Sequence, residues 1–177
     1  MAKTIFITGG ARSGKSRFAE ELAQQFGAPL CYLATAQALD DEMTERVKRH
    51  RLRRGDAWQT IEEPLHLSHA LARCDGTGKA VLVDCITLWL SNLLFHYEER
   101  DEDAEACIME DVRRLTATLR EMRTPVIVVS NEVGQGIVPE NRLARRFRDI
   151  AGQTNQLLAA MADEVYVAIS GIPLKLK

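Results

Sequence analysis

Short, wholly apolar runs alternate with stretches of helical periodicity along almost the entire chain. Residues 4–8 (Thr4-Ile5-Phe6-Ile7-Thr8), 30–35, 79–84, 125–130 and 165–170 read as buried strands, and 58–62 adds another short one. Between them, helical spacing runs over 17–26, 40–53, 65–73, 86–97, a segment beginning at Ala104, and 140–162. Phe18, Leu22 and Phe26 recur every four residues; Ala104, Ile108, Val112, Leu115, Leu119 and Met122 recur at three and four. Leu143, Phe147, Ile150, Leu157 and Met161 predict a comparable core-facing stripe, with Pro139 near that helix's start. Strands apolar along their whole length need cover on both sides. The pattern therefore predicts an α/β fold, a mostly parallel central sheet with helices on both faces. In such a sheet, ligands sit beyond the carboxyl ends of the strands, where Asp84 and Asn131 fall.

Composition narrows this picture. A chain of 177 residues fits one domain, 1–177, that buries about 70% of its unfolded surface. The formal net charge of −2 gives no general attraction to nucleic acid. Cys31, Cys74, Cys85 and Cys107 are widely spaced with no C-x-x-C pair, so they read as reduced, mostly buried thiols. No apolar run reaches membrane-spanning length and the N-terminus enters the first strand at once, which argues for the cytoplasm and no membrane anchor.

The strongest chemical signal follows the first strand. Gly9-Gly10-Ala11-Arg12-Ser13-Gly14-Lys15-Ser16 satisfies G-x-x-x-x-G-K-[ST] and leads straight into a helix. Glycines let the backbone wrap an anion, N–H groups converge on phosphate oxygens, Lys15 adds a point charge, and the Ser16 hydroxyl can hold Mg2+. Ala80-Val81-Leu82-Val83-Asp84 then supplies what a Walker B element requires, a rigid strand ending in a carboxylate for the metal. A turn-forming Asp is the alternative for a lone instance. Cys85 and Thr87 flank this site without an assigned role.

In residues 46–54, helical spacing places Arg46, His50, Arg53 and Arg54 on adjoining rows of one face. Neighbouring guanidinium groups keep an imidazole neutral and nucleophilic and can neutralise a triphosphate. The residue pattern by itself favours a solvated basic face with an incidental His over that chemistry. The acidic stretch 98–105 reads as a solvated helix start whose carboxylates suit the positive dipole end. His66, His69 and His96 read as surface or packing residues, and Trp58 and Trp89 as core. The loop at 131–139 invites ligand or subunit contact. Arg142, Arg145, Arg146 and Arg148 beyond it form a second anion surface or simply a solvated face.

Taken in order along the chain, these residues resemble the bifunctional adenosylcobinamide kinase and adenosylcobinamide-phosphate guanylyltransferase family. The resemblance rests on Thr8 through Ser16, Ala34-Thr35-Ala36-Gln37 with Asp41-Glu42-Met43, Arg46-x-x-x-His50-Arg51 and Trp58-x-Thr60-x-Glu62. It continues through Asn131-Glu132-Val133-Gly134-x-Gly136-Ile137-Val138-Pro139, Arg146-Phe147-Arg148-Asp149, Asn155-Gln156 and Ala162-Asp163-Glu164-Val165. It implies a RecA-like P-loop NTPase fold, Mg2+, and a small cyclic homo-oligomer, a trimer.

Two reactions are implied: phosphorylation of adenosylcobinamide by a nucleoside triphosphate such as ATP, then transfer of GMP from GTP to adenosylcobinamide phosphate through a covalent histidine. By motif position that histidine is His50. Gly9, Gly10, Ala11, Arg12, Ser13, Gly14, Lys15, Ser16, Thr35, Ala36, Gln37, Arg51, Leu52, Arg53, Arg54, Glu62 and Asp84 become nucleotide-site residues, with Ser16 and Asp84 on the metal. Asp84 stands where family members often carry Glu, and Gly55 where a proline often follows the arginines. A monofunctional P-loop small-molecule kinase would leave His50 unused. A RecA-like DNA-binding ATPase would need a basic surface, which the charge balance does not suggest.

Overall fold

The computed structural model describes residues 2–36, 55–100 and 103–177. Seven strands lie in one sheet: β1 (Thr4–Gly9), β2 (Leu30–Ala34), β3 (Trp58–Glu62), β4 (Ala80–Asp84), β5 (Val126–Val129), β6 (Glu164–Ile169) and β7 (Ile172–Lys175). Their order is β3-β2-β4-β5-β1-β6-β7, and every pairing is parallel except β6 with β7. The described helices are α1 (Lys15–Gln24), α2 (Leu67–Cys74), α3 (Ile86–Glu98), α4 (Ala104–Glu121) and α5 (Arg142–Met161). The helix predicted over 40–53 lies outside the described residues.

Alternation along the central strands explains why they are apolar throughout. Phe6 of β1 enters one core with Val81, Val83 and residues of α2 to α5, while Ile5 and Ile7 enter another with Leu82, Ala19 and Ala23 of α1. Each side chain in the run thus leaves water, and Ile5, Phe6 and Ile7 are all 2% exposed or less. The stripe predicted for α4 is also buried, from Ala104 through Leu119. Of the acidic stretch 98–105, only Asp103 and Glu105 start this helix among the described residues: Asp103 accepts the Ala106 N–H at 3.3 Å and Glu105 occupies the first turn, whereas Glu98 ends α3 and Glu99 caps it. Trp58 and Trp89 are core residues; the Trp89 indole donates to Leu65 O at 2.8 Å. All four cysteines are free, and the Cys31 and Cys74 sulfurs lie 3.2 Å apart inside the larger core.

Two expectations need correction. Leu157 is 41% exposed, and Leu158 takes the buried place. At 100° per residue the buried stripe Ile150, Ala151, Thr154, Asn155 and Leu158 is centred so that Leu157 falls about 90° from its middle. Polar Thr154 and Asn155 disguised that phase. The chain also continues past 170 into β7, an exposed edge strand whose Pro173 obscured it in the sequence. Proline is tolerated there because an edge strand need not donate on its outer side.

Candidate functional site

β1 delivers the glycine-rich segment to the carboxyl edge of the sheet. A Cβ on Gly9 would lie 2.5 Å from Ala168 O and 2.7 Å from the Ser13 Oγ, so only hydrogen fits between loop and sheet. The loop then turns on itself, with Ser13 N–H donating to Gly10 O at 3.3 Å. Gly14 caps α1 at φ +92°, in the left-handed region, without a side-chain cap. No acidic residue occupies the first turn, which leaves the leading N–H groups of α1 and its positive end to an incoming anion. Lys15 is 8% exposed and its Nζ donates to Gly10 O at 3.0 Å, so the ammonium is folded across the loop it serves. Gly10, Ala11 and Arg12 form the exposed outer side of the turn, and Arg12 takes φ 55°.

β4 brings Asp84 to the same edge. Because β5 lies between β4 and β1, the carboxylate stands about 10 Å along the sheet from the P-loop strand, within reach through a metal and a phosphate. Its Oδ2 accepts the Tyr32 hydroxyl at 3.0 Å, which orients the group and leaves Oδ1 without a hydrogen bond among the described residues. The Ser16 hydroxyl likewise has no partner among them. A hydroxyl and a carboxylate are hard oxygen donors of the kind Mg2+ takes, completed by phosphate and water. Among the described residues no group of three or more His, Cys, Asp or Glu converges as a metal site. Cys85, joined to Asp84 by a cis peptide, has its thiol pushed up to about 11 by burial and by the Asp84 charge, with the Lys15 charge opposing. The thiol stays protonated near neutral pH and is no nucleophile.

Thr35 has a different task from a ligand contact in this geometry. Fully buried, its hydroxyl donates to Cys85 O at 2.7 Å and accepts the Cys85 N–H at 2.8 Å, clipping the end of β2 to the end of β4. Ala36 follows it; Gln37, His50, Arg51, Leu52, Arg53 and Arg54 lie outside the described residues. Glu62 ends β3 exposed, at the register level of Ala34 and hence of Asp84. Four inter-strand steps separate it from β1, roughly 19 Å, so the structure does not bring it beside the P-loop.

Several residues given no role in the sequence build the site's other wall. Thr87 Oγ1 accepts the Asn131 N–H at 2.7 Å and lies 3.3 Å from the Ser130 Oγ, both hydroxyls buried. Glu132 N–H donates to Gly9 O at 2.9 Å, and Asn155 Nδ2 to Asn131 O at 3.1 Å. The loop after β5 is thereby tied to β1, α3 and α5. Asn131, Glu132 and Asn155 carry a sequence signal through the polar loop and the family resemblance, whereas Thr87 and Ser130 carry none. The arginines beyond are mostly spent locally: Arg145 on Pro139 O and Glu140 O, Arg146 on Glu98, and Arg148 on Gly134 O. These contacts weigh against a second anion surface, and they make Arg146 and Arg148 half-buried structural residues instead of a solvated face.

A parallel sheet with this loop on β1 and a carboxylate two strands away defines a P-loop nucleotide-binding protein. The solved structures it resembles are RecA-like: flagellar accessory protein FlaH from Methanocaldococcus jannaschii (TM-score 0.54, 13% identity, 99% of this chain and 78% of that one) and the RadB recombinase (TM-score 0.51, 16%, 93% and 73%). Residues 5–176 match the family described as "Cobinamide kinase / cobinamide phosphate guanyltransferase". Curated relatives are the "Bifunctional adenosylcobalamin biosynthesis protein CobU" of Escherichia coli (strain K12), 46% identical over 98% of this chain and 99% of that protein, and its namesake from Salmonella typhimurium (strain LT2), 47% identical over 98% and 99%. The chain belongs to the cobinamide kinase / cobinamide phosphate guanyltransferase family, and it is a bifunctional transferase of cobalamin biosynthesis.

Proposed function

We propose that this chain phosphorylates adenosylcobinamide with a nucleoside triphosphate, ATP or GTP, and then transfers GMP from GTP to adenosylcobinamide phosphate by way of His50. The observation that carries the reading is the P-loop at the end of β1, with Lys15 folded over it and Asp84 facing it from β4. In the kinase step the loop N–H groups and Lys15 stabilise charge on the transferred phosphoryl group. In the guanylyl step a neutral His50 nitrogen attacks the α-phosphorus of GTP. The N–P bond forms as the bond from the α-phosphorus to the bridging oxygen breaks, and pyrophosphate leaves from the P-loop. A phosphate oxygen of adenosylcobinamide phosphate then displaces the imidazole, giving adenosylcobinamide-GDP and restoring the histidine.

Mg2+, held by Ser16 with Asp84 directly or through water, would neutralise the terminal phosphates during both transfers. Arg51, Leu52, Arg53 and Arg54 beside His50, together with Thr35, Ala36, Gln37 and Glu62, complete the proposed nucleotide-site set. Support for Thr35 is indirect, through the β2–β4 clip. One sheet contains every described strand, which supports a single domain over 1–177. None of the described helices is long and apolar enough to cross a membrane. A cytoplasmic enzyme, working as a homotrimer on small-molecule substrates without nucleic acid, is the assembly we infer from the family resemblance.

Incubation with α-labelled GTP and Mg2+ tests the covalent step. An acid-labile, alkali-stable protein adduct is expected, absent in His50→Ala, while that variant keeps some phosphorylation of cobinamide by ATP. Label retained in the variant, or equal loss of both activities, would remove His50 as the carrier. Lys15→Ala should lower both activities by about 10²–10³, since each transfer uses the same phosphate grip.

A further inference from the structure

The hydrogen-bond ladder between β1 and β5 runs on past the end of β5. The N–H groups of Val126, Ser130 and Glu132 donate in turn to Lys3, Ile7 and Gly9 O, at 2.9, 3.0 and 2.9 Å, and this even register carries extended backbone through Asn131. Side chains of an extended chain alternate between the two faces of a sheet. Ile127 and Val129 lie in the core beneath α1, whereas Val126 and Val128 belong to the opposite core. Ser130 follows the second pair, its hydroxyl 3.3 Å from the Thr87 Oγ1 of α3. Asn131 therefore rises on the α1 face, above Val129 and beside the Gly9 that opens the P-loop.

Asp84 shares that face. Leu82, two residues before it, lies in the core beneath α1, and Asp84 itself pairs in register with Val129. The space between the loop on β1 and the carboxylate on β4 is thus the space over the end of β5. Asn131 enters it one pleat, roughly 7 Å, beyond the level of Asp84. Its main chain is fixed there: the N–H donates to Thr87 Oγ1 at 2.7 Å and the carbonyl accepts Asn155 Nδ2 at 3.1 Å. The half-buried carboxamide, by contrast, makes no hydrogen bond among the described residues. A neutral amide brings two N–H donors to an anion and no charge that would repel it. Held by its backbone, it meets a phosphate without first having to be ordered.

We propose that Asn131 is a further catalytic residue, whose Nδ2 group donates to an oxygen of the phosphate chain gripped by the P-loop and stabilises the charge that gathers there during transfer. The proposal rests on the loop holding a triphosphate. It adds to Lys15 a neutral donor from a different strand.

Calorimetric titration of the full chain with inorganic tripolyphosphate and Mg2+, beside the rate of cobinamide phosphorylation by ATP, tests this. Asn131→Ala should weaken tripolyphosphate about tenfold and lower kcat about 10²-fold. Its urea midpoint should hold, because the bonds to Thr87 and Asn155 use only the main chain. Asn131→Asp keeps the shape but replaces the donors with a negative charge, so it should bind tripolyphosphate more weakly than Asn131→Ala. In the unsubstituted 15N-labelled protein, the Asn131 side-chain amide resonances should move on addition of tripolyphosphate, a readout that needs no variant. Unmoved resonances, unchanged affinity in both variants, or Asn131→Asp binding as well as Asn131→Ala overturns the assignment and leaves the triphosphate reading standing. A rise in KM for cobinamide alone would set the side chain against the acceptor and overturn it too. If the unsubstituted protein does not bind tripolyphosphate, or Lys15→Ala binds it equally well, the triphosphate reading fails and this proposal with it.

Discussion

The two faces of the sheet are built differently. Against one face, α2, α3, α4 and α5 pack large side chains, among them Trp89, Leu90, Ile108, Leu115 and Leu119, all 1% exposed or less. Against the other, the helix that packs among the described residues is α1, and its fully buried positions are Ala19 and Ala23. Small residues let α1 approach the strands closely, which brings its first turn and Lys15 down to the ends of β1 and β5. One face supplies burial; the other holds a phosphate grip at a set height. Stability and ligand geometry are thus drawn from separate sets of residues, and they should be separable by mutation.

The largest effect is expected on the thick face. Leu90→Ala should cost about 2–5 kcal/mol of unfolding free energy, read as a lower urea midpoint, because the cavity lies among residues that cannot all collapse into it. GTP affinity of the remaining folded protein should hold; a parallel loss of affinity would show that the faces are not independent. On the thin face, Ala19→Leu should cost about 1–3 kcal/mol by overpacking. It should also raise the Kd for GTP, since the helix can relieve the clash only by lifting away from the strands. Loss of stability with affinity intact would break the comparison from this side.

Smaller still is the local penalty at the loop. Gly14→Ala places a Cβ at φ +92° and against Gly171, costing about 1–2 kcal/mol by backbone strain. Titration should show tripolyphosphate and GTP weakened together.

The smallest effect belongs to the sheet edge. Lys175 and Lys3 donate to the Glu164 carboxylate at 2.7 and 2.9 Å, with the Tyr166 hydroxyl at 3.0 Å. These contacts hold its pKa near about 2 instead of the ordinary 4.5. A depressed carboxyl stabilises the fold above its unfolded value, so the contribution is complete above about pH 4.5 and disappears as pH falls toward 2. Hydrogen exchange of the β7 amides relative to those of β4 should therefore show protection fading over that interval. Glu164→Gln should abolish the pH dependence; an unchanged profile would mean that other carboxyls hold the edge.

What could be read in the chain differs between these regions for a physical reason. The P-loop was legible because its parts are neighbours in sequence and each residue type has a local duty, as with Gly14 in a left-handed cap before Lys15. The strands β1, β4 and β5 were legible because burial on both sides leaves a continuous apolar run. The resemblance offers Thr35 as a site residue, but what the fold gives it is the clip to Cys85, which depends on β2 and β4 being adjacent, a pairing between distant segments. Ser130 and Thr87 carried no signal for the same reason. The Ser170-Gly171 turn falls where the sequence reading stopped, and its partner Ser13 sits far away in the chain.

The alternation of strand and helix, the anion-binding loop and the family are written in the amino-acid order alone. These follow from period, turn chemistry and contiguous motifs, all interactions of short range along the chain. The strand order that sets Asp84 two strands from β1, the pairing of Arg146 with Glu98, and the docking of the β6–β7 turn on the P-loop come only with the three-dimensional fold. Those are choices among distant partners, and they are settled by which faces can be buried together.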